Sequence, residues 1–436
     1  MIKTAEEATQ FIESRQKFGS KPGLQRISAL LDALDHPEKD LSIVHIAGTN
    51  GKGSTVSFLS TMLQETGWSI GTFTSPYIEE LNERIAINGQ PISDDALTSI
   101  VAQIQPIIDS ADAASDLFEI TEFEVLTAAA FLYFKEQGPD MVVLEVGLGG
   151  LYDSTNIISP LLTAITTIGM DHEQVLGDTI EKIAAQKAGI IKDKVPVVTG
   201  KIPPEALKVI EETAEKKQAK VYHFNVDYSI DYKGPYPDWG EQFDFYNEAG
   251  KIPKLITSLL GKHQTENAAV AVQLFYLVCQ FKKIPFDEKN VKNGLLKTAW
   301  PARMERISQE PLIILDSAHN EQGIKRLAEN INNEFKNRHI YVIFSALERK
   351  NVEGMLEQLL EISNAEIYLT NFDYAGVMRL EKNYQRIDED RINIVSLWHF
   401  GLANILEKIS DDDMILVTGS LYFVAEVRKL IKDLIS

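Results

Sequence analysis

Short, continuous apolar runs alternate with helix-like stretches along the first half of the chain. The runs occupy residues 41–47, 140–146, 161–168 and 195–199. Runs of this kind are typical of strands that are buried on both faces, because helices cover both sides of a parallel sheet. The pattern therefore predicts an α/β fold built on a mostly parallel sheet.

The same alternation restarts after Pro301, which we interpret as a hinge. The later apolar runs occupy residues 312–315, 340–344, 366–370, 392–395 and 414–417. At about 150 residues per domain, a chain of 436 residues holds two large domains or three smaller ones. We predict an N-terminal domain over residues 1–299, with a β-rich excursion at residues 221–254, and a smaller Rossmann-like α/β domain over residues 300–436.

Composition argues against several classes of partner and site. Lys and Arg total 43 against 63 Asp and Glu, and the net charge of −20 argues against binding to nucleic acid or to an anionic membrane. The single cysteine, Cys279, excludes a disulfide framework and a multi-cysteine metal site, and its apolar neighbours predict a core position. The chain has neither a run of about 18 apolar residues nor an apolar leader, so we expect a cytoplasmic protein without a membrane span.

The most informative segment is residues 45–55, His-Ile-Ala-Gly-Thr-Asn-Gly-Lys-Gly-Ser-Thr. An apolar strand enters a loop with three glycines, and a helix is predicted from about residue 54. Glycines let backbone N–H groups face a phosphate, and the start of a helix adds positive potential. The spacing differs from the common G-x-x-x-x-G-K-[ST] pattern, so a plain turn between strand and helix is the alternative. The setting favours a nucleotide loop in which Lys52 reaches the phosphates and Ser54 or Thr55 caps the helix or approaches a metal ion.

Further motifs follow this loop in chain order. They are Thr74-Ser-Pro-Tyr77, Glu83-Arg-Ile85, Glu145-Val-Gly-Leu-Gly-Gly150, Asp153-Ser-Thr-Asn156, Met170-Asp-His172, Gln186-Lys-Ala-Gly189, Gly261-Lys-His-Gln264, Asn267-Ala-Ala269, Arg303-Met-Glu305, Asp316-Ser-Ala-His-Asn320 and Ser420-Leu-Tyr422. Together with Gly48–Ser54, the ordered set resembles the folylpolyglutamate synthase and dihydrofolate synthase family. That family belongs to the Mur-ligase group of ATP-dependent amide-forming enzymes.

The resemblance implies an ATP-dependent ligase that adds L-glutamate to folates through an acyl phosphate. Whether such an enzyme acts only on folates or on dihydropteroate as well is left open by the sequence. Polyglutamylation of this kind belongs to folate biosynthesis and one-carbon metabolism. It implies a P-loop-type sheet in the first domain and a glutamate-ligase domain at the C-terminus. The implied partners are small molecules, namely ATP, a folate or dihydropteroate and L-glutamate, and the implied state is a monomer. The implied cofactors are two Mg²⁺ ions, and the family also allows a monovalent cation.

An ATP site contributed by both domains is implied as well. Its residues are Gly48, Thr49, Asn50, Gly51, Lys52, Gly53, Ser54, Asn267, Arg303 and Asp316. From the residues alone, close helix packing explains the alanine-rich helix that carries Asn267. The resemblance implies that Asn267 contacts the adenine. A planar guanidinium such as that of Arg303 suits phosphate. Asp316 ends the first strand of the second domain, at the edge where open α/β sheets bind ligands.

Three residues are candidate metal ligands. Glu145 ends an apolar strand, where a buried carboxylate needs a partner or a metal, and a structural ion pair is the alternative. Ser75 precedes Pro76 and alone indicates only a turn. His172 alone indicates a hydrogen-bonded structural histidine, since Mg²⁺ prefers oxygen ligands. The resemblance implies that Ser75 and Glu145 share one Mg²⁺ and that His172 binds a second.

The role expected from the local sequence and the role implied by the family resemblance differ most at Lys187. A lysine in a helix-like stretch, here residues 180–191, is typical of a solvated cation. The resemblance implies that CO₂ carbamylates its amine, which becomes an anion with two oxygens suited to a site rich in Mg²⁺. Carbamylation requires a neutral amine, which burial beside cations favours. With Lys52 and His319, Lys187 forms the predicted catalytic set.

Three segments form the predicted folate pocket. The resemblance assigns a pterin-binding role to Gly23, Leu24, Gln25, Arg26, Thr121, Glu122, Phe123 and Glu124, and a substrate-contacting role to Asp153, Ser154 and Thr155. From the residues alone, the first segment is explained as the entry to an amphipathic helix. The glycine-rich stretch at residues 147–156 predicts a flexible loop over the site. Leu151 stands where the family usually has arginine, and a leucine cannot make the charge contact of that arginine with an anionic substrate.

The incoming glutamate is assigned by resemblance to His319, Ser420 and Tyr422. Two other functions remain as alternatives. A P-loop switch is disfavoured because the chain has no Asn-Lys-x-Asp guanine-recognition motif. A cell-wall peptide ligase of the same group would share the loop, Glu145 and Lys187, but should lack the paired segments of the predicted folate pocket.

Overall fold

The computed structural model describes residues 2–16, 23–114, 119–380, 384 and 390–435. They divide into two units. The first comprises the described residues up to Ser258 together with His263–Thr298, and the second comprises Leu259–Lys262 and the described residues from Ala299 onward. No helix in these ranges has the length and apolarity needed to cross a membrane.

An eight-stranded sheet is the centre of the first unit. Its strands are β1 (Ile43–Ala47), β2 (Ile70–Phe73), β3 (Ile85–Ile87), β4 (Gln90–Pro91), β5 (Met141–Glu145), β6 (Leu162–Ile165), β7 (Val197–Thr199) and β8 (Val221–His223). Their order is β4-β3-β2-β5-β1-β6-β7-β8, and only β3 and β4 run antiparallel to their neighbours. The first strand in the chain therefore lies near the middle of the sheet, between β5 and β6.

The register of these central strands brings three chain segments to one edge. Ile46 of β1 pairs with Glu145 of β5, and Ala47 pairs with Ile165 of β6. Parallel strands end at the same edge, where α/β sheets bind ligands. The glycine loop after Ala47, Glu145 and the residues after Ile165 therefore meet.

Helices alternate with the strands of this sheet along the chain, and further helices follow the last of these strands. They are α1 (Ala5–Glu13), α2 (Gln25–Ala33), α3 (Lys52–Gln64), α4 (Asp94–Ala114), α5 (Glu122–Gln137), α6 (Glu173–Leu176), α7 (Ile180–Ala188), α8 (Pro204–Lys216), α9 (Lys262–Lys282) and α10 (Glu288–Lys297). Short 3₁₀ helices cover Pro37–Asp40, Leu81–Arg84 and Ser154–Ile157.

Two hydrophobic clusters hold the helices to the sheet. Helices α1, α2, α4 and α5 share one core with Val142 and Leu144 of β5. Helices α7 and α8 share another with Ile165 of β6 and Val197 of β7. Cys279 of α9 is buried, and burial raises the pKa of its thiol to about 12, which confirms its predicted core position.

The predicted β-rich excursion is an antiparallel sheet. Its strands are β9 (Tyr228–Pro235), β10 (Glu241–Asn247) and β11 (Gly250–Thr257), in the order β11-β10-β9. Phe243 and Phe245 on the central strand are fully buried, so the excursion has a packed face and is not a linker.

The second unit is built on a six-stranded sheet. Its strands are β12 (Glu305–Gln309), β13 (Leu312–Leu315), β14 (Ile340–Phe344), β15 (Ala365–Asn371), β16 (Ile392–Leu397) and β17 (Met414–Thr418), in the order β12-β13-β17-β14-β15-β16. Its helices are α11 (Glu321–Glu334), α12 (Val352–Leu360), α13 (Trp398–Leu406) and α14 (Leu421–Ile435). All strands but β12 are parallel to their neighbours. The predicted α/β fold with mostly parallel sheets is confirmed.

One helix boundary differs from the prediction for a local reason. The helix after the glycine loop begins at Lys52 rather than near Ser54, because Gly51 forms its N-cap in the left-handed conformation, with φ 86°. Glycine adopts this conformation without steric cost. Ser54 and Thr55 therefore lie inside the first turn of α3 and do not cap it.

Candidate active site

The glycine loop is fixed by two threonines that follow β6. The Thr49 backbone N–H donates to the Thr167 carbonyl oxygen at 2.8 Å, and the Asn50 N–H donates to Thr167 Oγ1 at 2.9 Å. The hydroxyls of Thr166 and Thr167 both donate to the Asn50 carbonyl oxygen, at 2.6 and 2.9 Å. The loop is therefore fixed at the sheet edge by the segment that follows β6. The sequence predicted the strand but no role for these threonines.

Close contacts explain two of the loop glycines. A Cβ atom at Gly48 would lie 2.0 Å from Thr166 Oγ1, and one at Gly51 would lie 2.2 Å from Asn267 Oδ1. The predicted adenine residue Asn267 thus packs against the loop, and its amide donates to Gln264 Oε1 at 2.9 Å. Any larger residue at Gly48 or Gly51 would displace the loop.

Lys52 lies between the loop and the end of β5. Its Nζ donates to the Gly48 carbonyl oxygen at 3.0 Å and lies 4.0 Å from Glu145 Oε1. Both side chains are largely shielded from solvent, at 17% and 4% exposure. In this setting the ammonium is close to a carboxylate without forming a short ion pair, which leaves it able to turn toward an anionic ligand.

Glu145 and Ser75, the predicted ligands of one Mg²⁺ ion, lie close together. The Ser75 backbone N–H donates to Glu145 Oε2 at 3.1 Å, since β2 and β5 are neighbours that end at the same edge. A carboxylate and a hydroxyl are hard oxygen donors of the kind that Mg²⁺ prefers. The donor set at this point fits a Mg²⁺ ion.

His172 has a different environment. It adopts a left-handed conformation with φ 49°, its side chain is 56% exposed, and its Nε2 lies 3.8 Å from Asp171 Oδ1. Within the described ranges, no group of three or more His, Cys, Asp and Glu side chains is arranged to hold a metal ion. Binding of a second ion by His172 stays a prediction.

Lys187 is buried, so its expected solvation from the residues alone is wrong. The residue is 4% exposed, although it lies on the last turn of α7. Burial, followed by the nearby charge of Lys52, lowers the pKa of Lys187 to about 7, while Asp171 and Asp153 act in the opposite direction. A large neutral fraction of this amine therefore exists near neutral pH.

The glycine-rich loop packs on the end of α7, where Lys187 lies. A Cβ at Gly150 would lie 2.7 Å from the Gln186 carbonyl oxygen and 3.1 Å from that of Lys187. The Leu151 N–H donates to the Gln186 carbonyl oxygen at 2.7 Å. Leu151 itself is 38% exposed, so the position where the family usually has arginine presents an apolar side chain to solvent.

A buried hydrogen-bond chain anchors the same loop to β1. His45 Nε2 lies 2.8 Å from Thr155 Oγ1, and the Thr155 hydroxyl donates to Asp153 Oδ1. Because that hydroxyl proton is already used, His45 Nε2–H is the donor. Burial first, and then the charge of Lys192, lower the pKa of His45 to about 3, so the imidazole is neutral. The sequence placed His45 beside the loop but offered no signal for this role.

Among the residues of this loop that are predicted to contact substrate, Asp153 and Thr155 form hydrogen bonds within the loop. Asp153 also accepts from the N–H groups of Leu148 and Thr155, at 2.8 and 3.0 Å, and burial raises the pKa of its carboxyl. Asp153, Ser154 and Thr155 are all buried. Substrate contact by these three residues stays a prediction.

The two segments of the predicted pterin pocket meet through one ion pair. Arg26 Nε lies 3.1 Å from Glu124 Oε1, across the start of α5. Glu124 also completes a capping box with Thr121, the N-cap residue of α5. In the first segment, a Cβ at Gly23 would lie 2.1 Å from Gln25 Oε1, and both Gly23 and Leu24 are half-buried.

The middle of the second segment lies beside the glycine-rich loop. Phe123 packs 5.6 Å from the ring of Phe73, and a Cβ at Gly147 would lie 2.5 Å from the Phe123 ring. Glu122 lies 3.9 Å from Arg84. The Phe123 ring thus lies against the start of the loop, and pterin binding by this segment stays a prediction.

In the second unit, the ends of β13 and β17 carry the remaining predicted residues. Leu315 pairs with Val417, and the Gly419 N–H donates to the Ala318 carbonyl oxygen at 3.1 Å. This register brings the segments of Asp316, His319 and Ser420 to one sheet edge.

These predicted residues differ in exposure and partners. Burial raises the pKa of Asp316, and the charge of Arg303 opposes that shift. His319 Nδ1 lies 2.9 Å from the Ser317 carbonyl oxygen. Ser420 is buried, whereas Tyr422 is 38% exposed and stacks on Tyr374, with the ring centroids 4.3 Å apart. The sequence had no signal for Tyr374.

Comparison with known proteins agrees with this architecture. The Mur ligase middle domain matches residues 46–275, and the Mur ligase glutamate ligase domain matches residues 302–421. A dihydrofolate synthase/folylpolyglutamate synthase of Bacillus subtilis is 42% identical over 99% of this chain and 100% of its own length. A folylpolyglutamate synthase of Lacticaseibacillus casei is 35% identical over 97% of both chains.

A solved structure extends the similarity to three dimensions. The complex of a folylpolyglutamate synthase with AMPPCP and folate has a TM-score of 0.85 and 34% identity, and the match covers 98% of this chain and 100% of that one. The expectation of an ATP-dependent ligase that forms carbon–nitrogen bonds is confirmed. The chain belongs to the folylpolyglutamate synthase/dihydrofolate synthase family of Mur ligases.

Proposed function

We propose that this chain uses ATP to join L-glutamate to folates through an acyl phosphate. The observation that carries the proposal is the grouping of Lys52, Glu145 and Lys187. Lys52 Nζ lies 4.0 Å from Glu145, and the Lys52 charge lowers the pKa of the buried Lys187 amine. A cation at the phosphate loop and an oxygen ligand for Mg²⁺ stabilise the charge that develops when a carboxylate is phosphorylated. The buried amine of Lys187 is neutral enough to add CO₂ and so supply a further anionic oxygen donor.

The proposed division of labour follows the two predicted domains. Residues 1–299 would bind ATP and the folate, and residues 300–436 would bind glutamate and contribute Arg303 and Asp316 to ATP. The matched Mur ligase middle and glutamate ligase domains support this division.

The proposed reaction has two steps. A carboxylate oxygen of the folate attacks the γ-phosphorus, the bond to the β–γ bridging oxygen breaks, and ADP leaves. The glutamate amine then attacks the acyl phosphate, the amide forms, and phosphate leaves with one oxygen from the carboxylate. Lys52 and the backbone N–H groups of the loop offset the charge between the two anions, and positioning does most of the remaining work.

Mg²⁺ would neutralise the phosphate charge at this edge. Ser75 and Glu145 are the proposed ligands for one ion, and their oxygen donors support this assignment. His172 is the proposed ligand for a second ion, on the family pattern alone. A monovalent cation, a monomeric state and a cytoplasmic location also stay predictions.

The folate would lie against Phe123, between Gly23–Arg26 and the loop of Asp153–Thr155. The ion pair between Arg26 and Glu124 supports a single pocket formed by both segments. We propose dihydropteroate as a second acceptor, since the similar Bacillus subtilis protein is named for both activities. His319, Ser420 and Tyr422 are the proposed glutamate residues.

Product analysis tests this function. Purified protein receives ATP, labelled L-glutamate and either tetrahydrofolate or dihydropteroate, with a nucleotide-linked muramyl peptide as the rival acceptor. We expect ADP release only when glutamate and a pterin acceptor are both present, and a product heavier by one glutamate residue. ADP release with the muramyl peptide, or without any acceptor, would contradict the proposal.

The first prediction concerns Lys52. Replacement of Lys52 by Ala should lower ATP-dependent turnover about 10²- to 10³-fold, because it removes the cation at the developing phosphate charge. Steady-state kinetics and a melting curve measure turnover and fold. Lys201→Ala is the control, since this lysine is 64% exposed and pairs with Glu266. Normal turnover of the Lys52 variant would refute the phosphate role.

The second prediction concerns the metal ligands. Glu145→Gln and His172→Ala should each lose activity and regain part of it at raised Mg²⁺ or Mn²⁺, because each loses a metal donor. Titration of activity against metal concentration measures this. Glu241→Gln is the control, since Glu241 is a buried carboxylate that accepts from the Tyr232 hydroxyl. Wild-type metal dependence in both variants would rule out the two-ion assignment.

The third prediction is that Lys187 is carbamylated in the active enzyme. With a pKa of about 7, its amine is largely neutral at pH 8 and can add CO₂. Degassed, CO₂-free protein should lose activity slowly and regain it with bicarbonate. Native mass spectrometry should show a reversible gain of one CO₂.

Variants on the same helix sharpen the test of Lys187. Lys187→Ala should lose most activity, and acetate should restore part of it by occupying the place of the carbamate. Lys182→Ala should retain activity, since Lys182 is 61% exposed and pairs with Asp178. Near-normal turnover of Lys187→Ala, or an unmodified amine in an active crystal, would exclude the modification.

A further inference from the structure

Arg303 lies in an unusually strained turn. Its two neighbours, Ala302 and Met304, both have left-handed backbone conformations, with φ 54° and 47°. Residues with a Cβ atom rarely adopt this conformation, and a bulky residue such as methionine does so only when its surroundings impose it. Two such residues on either side of one arginine indicate that surrounding groups hold this turn in place.

Burial shows which way the turn points. The Ala302 side chain is fully buried and Met304 is 4% exposed, whereas Arg303 is only partly buried. Alternation of this kind places the two neighbours in the core and leaves Arg303, whose charge acts on the buried Asp316, partly accessible. A turn that relaxed to ordinary φ values would direct the arginine elsewhere.

Two carboxylates hold the backbone on either side of Arg303. The Ala302 N–H donates to Glu305 Oε2 at 2.8 Å, and the Met304 N–H donates to Asp316 Oδ2 at 2.9 Å. The Ser317 N–H donates to the Ala302 carbonyl oxygen at 2.9 Å. Charge-assisted hydrogen bonds of this length are among the strong ones, so they can offset backbone strain.

Arg428 of α14 holds the Glu305 side chain in place. Arg428 Nε lies 2.8 Å from Glu305 Oε2 and 3.1 Å from Oε1, and the Arg428 side chain is 9% exposed. The connection therefore runs from Arg428 through Glu305 to the Ala302 backbone. Nothing in the proposed reaction uses either side chain.

We infer that Glu305 and Arg428 are positioning residues, which keep the turn at Ala302–Met304 strained so that Arg303 meets the ATP phosphates in a fixed orientation. The inference rests on the proposed ATP contact of Arg303. Because a guanidinium recognises phosphate through a rigid fork, its direction matters as much as its presence.

Nucleotide affinity tests the inference. The Kd of AMPPCP and the KM values for ATP and glutamate are measured for Arg303→Ala, Glu305→Ala and Arg428→Met. Glu305→Ala should weaken AMPPCP binding on the order of tenfold and raise the KM for ATP, with the KM for glutamate unchanged. Arg428→Met, which leaves the Glu305 carboxylate in place but unfixed, should have a smaller effect of the same kind.

A rescue variant and a matched ion pair separate positioning from stability. Ala302→Gly in the Glu305→Ala background should restore part of the AMPPCP affinity, because glycine adopts φ near 54° without strain. Glu366→Ala removes another ion pair of the same unit, with Lys408 at 2.9 Å, and should lower the melting temperature without changing AMPPCP binding.

The outcomes separate a failure of the positioning role from a failure of the proposed ATP contact of Arg303. If Arg303→Ala binds AMPPCP normally, the ATP contact of Arg303 is wrong and the positioning role falls with it. If Arg303→Ala loses affinity but Glu305→Ala and Arg428→Met keep it, only the positioning role is overturned. If Glu305→Ala fails to fold, Arg428→Met alone decides between the same two results.

Discussion

The position of β1 between β5 and β6 is the constraint on which the rest of the site depends. Parallel pairing of Ile46 with Glu145 and of Ala47 with Ile165 brings three strand ends to one edge. The glycine loop then forms hydrogen bonds with Thr166 and Thr167, and Lys52 comes within 4.0 Å of Glu145. A shift of one residue in the pairing of β1 with β5 would turn Glu145 to the opposite face of the sheet. The phosphate loop and its carboxylate are thus consequences of strand register.

The burial of ionisable side chains is the second constraint on the site. The glycine-rich loop packs on the end of α7, where Lys187 is buried. Burial, followed by the charge of Lys52, lowers the pKa of this lysine. The same loop depends on the buried chain from His45 through Thr155 to Asp153. A neutral imidazole at this position holds the loop without adding another charge to a crowded site. The proposed modification of Lys187 and the anchoring of the loop therefore have one physical origin.

The sequence could predict elements but not their contacts. Continuous apolar runs located the central strands of both sheets, because strands covered on both faces need such runs, and β13 and β14 have the predicted bounds. The threonines after β6 and His45 of β1 were missed, because hydrogen bonds across a sheet depend on strand order, which periodicity does not reveal. Burial of Lys187 was missed for a similar reason, since it depends on what packs around α7, which the pattern of one helix does not reveal. Resemblance supplied roles for Lys187 and His172 that the chemistry of isolated residues would not suggest.

The central claim is that a folate carboxylate is phosphorylated before the amide forms. Transfer of isotope tests it directly. Tetrahydrofolate is labelled with ¹⁸O at both oxygens of the carboxylate that accepts glutamate. It is incubated with the protein, ATP and L-glutamate, and the released phosphate is analysed by mass spectrometry. An acyl phosphate predicts one ¹⁸O atom in each phosphate and one in the new amide. Unlabelled phosphate formed together with the glutamylated product would contradict the account.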